Sequence, residues 1–261
     1  MTMSPEDRDD LCYAKTLLEN PGLAARITSV LGAPLERGFD LLPKGWHELV
    51  AKATSKALDV AIHSAVLALK RGHGGESANR LHKLFVAGVG AAGGFWGLPA
   101  ITLELPVSTT VMLRSIADIA RSEGHDLDDP LVKVSCVEVF AFGGSQRADD
   151  GANSGYFGVR TMLGKAVRDA AEYLAVAKIG EGSAPVLVRL ISLVAGRFGV
   201  QVTEKIAAQS LPFLGAAGGA MINTLFIDHF QNMARGHFIV LRLEKIYGRE
   251  VVRRCYGQCS S

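Results

Sequence analysis

Two long charge-free stretches that are rich in glycine constrain the fold of this chain more than any other feature. They cover residues 84–103 and 206–227, and each contains the sequence GAAGG, at residues 90–94 and 215–219. Glycine inside a helix costs about 1 kcal/mol relative to alanine, so another interaction must offset that cost. Small residues four apart form a smooth face that lets a second helix approach closely. We therefore predict a glycine-rich, apolar central helical hairpin with helix contacts at Gly90, Gly94, Gly215 and Gly219.

Both stretches also reach the length of a membrane span, about 20 residues. Against a span, glycine and proline dilute their hydrophobicity, and the mean hydropathy of the whole chain is only +0.21. Pro99 and Pro106 interrupt the helical pattern and would release backbone groups that need hydrogen-bond partners in lipid. We expect the hairpin to be buried in a soluble protein rather than inserted in a bilayer. Peripheral contact with a membrane is compatible with either arrangement.

Helical periodicity accounts for most of the remaining chain. Apolar residues recur at three- and four-residue spacing over residues 46–71 and 156–178, and a last long helix is expected over residues 213–247. Ser4-Pro5 and Asp129-Pro130 have the form of helix starts, in which a polar cap precedes a proline in the first turn. No series of alternating strands is evident. The sequence predicts an all-α fold in a single compact multi-helix domain.

Composition and charge narrow the class of function. Hydrophobic residues make up 48% of the chain and charged residues 21%, which is typical of a globular domain. A net charge of +2 gives no electrostatic reason to expect nucleic acid. The first ten residues are acidic and lack the apolar core of a signal sequence, so we expect a cytoplasmic protein. In that compartment the four cysteines are expected to be reduced thiols: Cys12, Cys136, Cys255 and Cys259.

One segment has the letters of a cofactor motif. Residues 88–93 match G-x-G-x-x-G, but the sequence WGLP at residues 96–99 breaks the following helix after about one turn, and no acidic ribose ligand follows. We predict no bound cofactor. His229 and His237 have no ligand partner at metal spacing, and the pair Cys255-x-x-x-Cys259 lacks a second pair, so we predict no metal site. No nucleophile-elbow, zinc-protease or Walker motif is present, so no motif assigns a reaction.

Three polar side chains interrupt apolar helix faces: Glu104, Glu138 and Asn223. A buried carboxylate must be paired or protonated, because desolvating its charge costs several kcal/mol. We predict that Glu104 and Glu138 are largely buried and that at least one meets a basic group, with Arg114 as the first choice. A structural ion pair that fixes helix register is the favoured interpretation. A polar pocket would instead make Glu104, Arg114 and Glu138 candidates for catalytic residues.

Five stretches together resemble the EcsC family, and the most specific is GLPA…ELP…T…MLRSIADIAR. They are residues 93–127, 136–144, 154–160, 212–234 and 237–248. The resemblance covers residues 41–248, which leaves an N-terminal helical extension over residues 1–40 and a polar C-terminal tail over residues 249–261. The family takes its name from a protein encoded beside the subunits of an ABC-type exporter. The resemblance implies no catalytic residue.

The resemblance and the glycine-rich helices together favour a non-enzymatic accessory factor. We expect it to be peripheral to the inner membrane, near a transporter or secretion system, with a membrane protein or the membrane surface as its partner. Two alternatives are a soluble hydrolase-type enzyme that uses the Glu104/Glu138 region and a carrier for an apolar ligand. A water-accessible cleft lined by Glu104, Arg114 and Glu138 would favour the enzyme, and an elongated apolar cavity would favour the carrier.

Overall fold

The computed structural model describes residues 3–19, 22–32, 34–69, 98–144, 155–176, 184–211 and 215–259. This part of the chain holds ten α-helices, one 3-10 turn and no strand, so the predicted all-α fold is confirmed. In chain order the helices are α1 (Pro5–Glu19), α2 (Leu23–Leu31), α3 (Glu36–Asp40), α4 (Trp46–Leu69), α5 (Leu98–Ser122), α6 (Pro130–Glu138), α7 (Tyr156–Val176), α8 (Pro185–Gln209), α9 (Gly215–Tyr247) and α10 (Arg249–Gln258). The 3-10 turn, Val139–Ala141, directly follows α6.

Local sequence signals set several of the helix ends. Ser4 caps α1, since its Oγ accepts a hydrogen bond from the backbone N–H of Asp7 at 3.1 Å. Asp129 caps α6 in the same way, accepting from the backbone N–H of Leu131 at 2.8 Å. Gly32 ends α2 in the left-handed conformation, with φ of 63°. These ends lie where the caps and the glycine in the sequence place them.

Three segments differ from the sequence prediction. The irregular connector expected over residues 32–45 contains α3, which packs against α8. The break expected at Pro106 is absent: α5 runs through it, because a proline removes one backbone hydrogen bond whereas the packing of α5 along α4 stabilises the whole helix. The predicted polar C-terminal tail forms α10, which buries Val252 and Tyr256 against the rest of the molecule.

Four phenylalanines at the centre of the core join three elements. They are Phe140 in the 3-10 turn, Phe198 in α8, and Phe226 and Phe230 in α9, and none is exposed. The ring centroids of Phe140 and Phe198 are 4.9 Å apart, and those of Phe226 and Phe230 are 5.1 Å apart. Tilted and edge-to-face aromatic pairs of this kind add about 0.5–1.5 kcal/mol beyond the burial of their area. The cluster therefore fixes the carboxyl end of α6 against α8 and α9.

Close helix contacts in the described residues depend on two glycines outside the GAAGG sequences. On α9, an added Cβ at Gly236 would lie 2.7 Å from Cγ of Leu18 and 3.0 Å from the carbonyl oxygen of Ala14, both in α1. An added Cβ at Gly38 would overlap the backbone carbonyl of Ala207 in α8. Backbones approach at these points because no side chain stands between them.

Only part of the predicted central hairpin lies in the residues that the structure describes. Residues 206–227 do not form one helix, since α8 ends at Gln209 and α9 begins at Gly215. An added Cβ at Gly219 meets nothing within 4 Å. Gly90 and Gly94 lie outside the described residues, so packing between the two GAAGG segments stays a prediction.

A disulfide links the two ends of the described chain. It joins Cys12 in α1 to Cys259, immediately after α10, and the two Cα atoms are 5.2 Å apart. The expectation of four reduced thiols is therefore wrong for this pair. Cys136 and Cys255 are free thiols, and burial raises the pKa of Cys136 to about 12, which makes it unreactive.

We predict opposite effects on stability for alanine at two helix-interior glycines. Gly236→Ala should lower the free energy of unfolding by about 1–3 kcal/mol, because its new methyl group overpacks the contact with α1. Gly196→Ala in α8 is the matched control. No atom lies within 4 Å of its added Cβ, so it should raise the same quantity by about 0.5–1 kcal/mol. Urea denaturation measures both, and equal effects would contradict the α1–α9 contact.

Candidate functional site

Glu104 on α5 meets Lys205 on α8. The Lys205 Nζ lies 2.8 Å from the Glu104 Oε1, and the two side chains are 4% and 20% exposed. The ammonium group also lies 5.0 Å from the centroid of the Phe226 ring. The prediction that at least one carboxylate meets a basic group is thus confirmed. Arg114 as its partner is wrong, because α5 continues through Pro106 and places Arg114 on the exposed side of the helix.

Glu138 lies at the carboxyl end of α6 and is 4% exposed. Its Oε2 is 3.7 Å from Nε2 of His237, which is too far for a hydrogen bond. Burial raises the pKa of the Glu138 carboxyl to about 7, and the positive charge of Arg160 partly opposes this increase. Glu138 therefore compensates for its desolvation by holding a proton near neutral pH rather than by forming a close ion pair.

His237 connects Glu138 to Tyr156. The Tyr156 phenol oxygen lies 2.8 Å from Nδ1 of His237. Burial raises the pKa of Tyr156 and lowers that of His237 well below its ordinary value, so the phenol keeps its proton and the imidazole is neutral. The phenol oxygen and Nδ1 share this hydrogen bond, and the guanidinium of Arg160 lies 5.4 Å from the centroid of the Tyr156 ring. Nε2 of His237 faces Glu138.

Arg160 on α7 anchors the other end of this arrangement to α9. Its two terminal nitrogens donate to the two carboxylate oxygens of Glu244 at 2.8 Å and 2.9 Å, and the side chains are 14% and 7% exposed. Such a two-pronged, charge-assisted contact is among the strongest that side chains form. Glu244, Arg160, Tyr156, His237 and Glu138 thus make one continuous series of contacts, which we call the buried polar chain.

The sequence spacing of residues within each helix is a partial signal for the buried polar chain. Tyr156 and Arg160 are four residues apart on α7, and His237 and Glu244 are seven apart on α9, so each pair shares a helix face. The sequence around His237 suggested only a test for metal spacing, and Arg160 carries no motif of its own. No local signal indicates that these two faces lie against each other, because that depends on the packing of α7 and α9.

His229 belongs to a second buried polar group, at the turn after the 3-10 turn. Gly143 has φ of 72° there, and an added Cβ would lie 2.5 Å from Cε1 of His229. Gln201 on α8 donates a hydrogen bond from its side-chain nitrogen to the Phe142 carbonyl. Burial lowers the pKa of His229 to about 4, so the ring is neutral. These side chains support the turn that follows Glu138.

The described residues show no assembled metal centre. Within the described ranges, no group of three or more His, Cys, Asp or Glu side chains could hold a metal ion. Asn223 is half-buried, and its Oδ1 has no hydrogen-bond partner in the part of the chain that the structure covers. The G-x-G-x-x-G sequence at residues 88–93 lies outside the described residues. Cys259 pairs with Cys12, so Cys255 and Cys259 do not form a two-thiol ligand set.

Comparison with known protein families gives a match over most of the chain. The model of the EcsC protein family matches residues 14–243. The chain belongs to the EcsC family. The EcsC region begins at residue 14, so it includes most of the extension that was predicted over residues 1–40. The matched region ends at residue 243, and Glu244 of the buried polar chain is the next residue. No curated protein and no solved structure matches the chain.

We predict that Glu138 makes stability fall as pH rises above 6.5. The folded pKa of about 7 exceeds the ordinary 4.5, so its contribution is full at low pH and is lost as pH rises through 7. The lowered pKa values of His229 and His237 act in the opposite sense, and their contribution is still rising at pH 6.5 because an unfolded imidazole is half protonated at its ordinary pKa of 6.5. Between pH 6.5 and 8.0 the contribution of Glu138 to the unfolding free energy should fall by about 1 kcal/mol, and in the wild type the two histidines should offset a similar amount.

Glu138→Gln should remove this fall, because glutamine resembles the protonated carboxyl and does not titrate. Glu172→Gln, on the exposed side of α7, is the control and should keep the pH dependence of the wild type. Urea denaturation at the two pH values measures the difference. A stability difference between the wild type and Glu138→Gln that is the same at both pH values would contradict the raised pKa.

Proposed function

We propose that this EcsC-family protein is a non-enzymatic accessory factor at the cytoplasmic face of the inner membrane, near a transporter or secretion system. The supporting observation is that four of the interior charged side chains form ion pairs with one another. Glu104 pairs with Lys205 and Arg160 pairs with Glu244, so each ion pair joins two helices. Glu138 is buried beside a neutral histidine. A catalytic acid or base must reach its substrate, and these groups face one another instead.

The outer face of α8 is the surface that we propose for contact at the membrane. Of the residues described, α8 is the one helix long and apolar enough to cross a membrane, and 44% of its apolar window is buried. Core helices pass the same test, so length alone does not place α8 in a bilayer. Its exposed positions Val188, Ser192, Gly196 and Val200 lie four residues apart in one line, and the exposed Arg189 lies beside the first of them. The line extends about 18 Å along the helix and carries small or apolar side chains, which suits contact with a bilayer or a partner's membrane helix.

We predict that the protein sediments with membranes and is released by carbonate, as a peripheral protein would be. The double variant Val188→Asp/Val200→Asp should reduce the sedimented fraction at least fivefold, because two charges oppose apolar contact. Met162→Asp on α7 is the matched control, since that side chain is similarly exposed but lies on another helix. Retention of the wild type after carbonate would indicate insertion. Equal losses for the double variant and Met162→Asp would exclude the outer face of α8 as the contact surface.

A second candidate function is an enzyme that uses the buried polar chain. One observation favours it: a carboxyl with a pKa of about 7 lies beside a neutral histidine and a protonated tyrosine. Perturbed groups of this kind are frequent in acid–base catalysis. In this alternative Glu138 would transfer a proton to or from substrate.

Glu138→Gln separates the two proposals in cells that lack the chromosomal copy. For an accessory factor, the variant should restore the wild-type phenotype wherever it accumulates to the wild-type level. For an enzyme, it should fail to do so at unchanged melting temperature, because glutamine cannot exchange a proton. Immunoblotting of the cells and thermal denaturation of the purified variant provide the two controls.

A further inference from the structure

The C-terminal helix α10 covers one end of the buried polar chain. Tyr256 on α10 stacks on Tyr156, with ring centroids 6.1 Å apart, and meets Phe157 edge-on at 4.9 Å. Tyr156 in turn shares a hydrogen bond with His237. Displacement of α10 would therefore remove the ring that shields Tyr156 and would bring water towards His237 and Glu138.

Few buried side chains hold α10 in this position. Its buried residues are Val252 and Tyr256, whereas Arg249, Arg253 and Arg254 are exposed. Arg253 also lies 5.8 Å from the centroid of the Phe157 ring, at the surface. A helix of ten residues is not stable in isolation, so its order depends on contacts with the rest of the molecule.

The disulfide acts at the end of α10 that carries Tyr256. Cys259 follows α10 directly and is bonded to Cys12 on α1. Lys15, one turn further along α1, donates a hydrogen bond from Nζ to the Cys259 carbonyl oxygen at 2.9 Å and lies 5.5 Å from the centroid of the Tyr256 ring. The bond thus holds the carboxyl end of α10 against α1.

Helix α1 has independent anchors and does not need the disulfide. Leu11, Ala14 and Leu18 are buried, and α1 packs along α9 where Gly236 lets the backbones approach. Tyr247 at the end of α9 donates a hydrogen bond to the Asp7 carboxylate at 2.6 Å. Opening of the bond would therefore release α10 and leave α1 in place.

We propose that the Cys12–Cys259 disulfide is a redox latch that holds α10 over the buried polar chain. A dithiol opens it in two exchanges. One thiolate of the dithiol attacks a sulfur of the bond and displaces the other cysteine as a thiolate, and the second thiol then releases the first cysteine. The protein gains two electrons and two protons, and the dithiol becomes a disulfide. Disulfides are rare in cytosolic proteins and, where present, are usually transient and catalytic or redox-sensing, which suits this role in the proposed compartment. The latch would act in the same way without the proposed membrane contact.

Hydrogen exchange on the full chain, with and without dithiothreitol, tests the latch. Reduction should speed exchange in residues 249–258 at least tenfold and leave α1 and α9 protected. Cys12→Ser should exchange at the fast rate in both conditions. Cys255→Ser is the matched control, because it keeps the bond and should respond to dithiothreitol as the wild type does. Exchange in α10 that does not change on reduction would overturn the proposal, as would loss of protection throughout the chain.

Chemical modification tests whether the opened latch exposes the buried polar chain. Diethyl pyrocarbonate reacts with accessible neutral imidazole, and His237 is fully buried under oxidising conditions. Reduction should raise the modification of His237 at least tenfold. His229 is equally buried but supports the turn at Gly143, so its modification should not change. Equal responses of the two histidines, or four titratable thiols in the air-oxidised protein, would refute the latch.

Discussion

Desolvation of charge determines how α6, α7 and α9 are placed relative to one another. Arg160 and Glu244 are both largely buried, and each would be costly without the other. Their two-pronged contact fixes the distance between α7 and α9 and their relative rotation. Tyr156 shares a face of α7 with Arg160, and His237 shares a face of α9 with Glu244. Their contact extends the alignment to Glu138 on α6. A shift of one residue along either helix would break all of these contacts together, so the buried polar chain specifies the register of three helices.

Those parts of the fold that depend on neighbouring residues could be predicted from the sequence. The caps at Ser4 and Asp129 act on backbone groups two or three residues away, and α4 and α7 follow the periodicity of their apolar residues. The burial of Glu138 was predicted for the same reason, since it interrupts an apolar face. The path of α5 through Pro106 was not, because the packing that outweighs a missing hydrogen bond involves another helix.

Contacts between distant segments account for what could not be predicted. Arg114 and Lys205 are both basic, and the choice between them as the partner of Glu104 depends on which side of α5 meets α8. Glu104 and Lys205 are 101 residues apart. Glycine shows the same limit. The repeated GAAGG sequence indicates close helix contact, yet the described close contacts are at Gly236, with α1 opposite it, and at Gly38, with α8 opposite it. Which residue packs against a given side chain depends on the tertiary structure and cannot be read from the local sequence.

The bond between Cys12 and Cys259 also gives this chain an unusual mechanical property. It closes the polypeptide between these residues into a covalent ring, with 247 positions separating the two cysteines. A force applied to the two ends of the protein would pass through the sulfur–sulfur bond and would not stretch the helices within the ring. Once the bond is reduced, the same force would act first on α10 and would peel it from α9. The redox state of two sulfur atoms thus decides whether tension on the termini reaches the folded core.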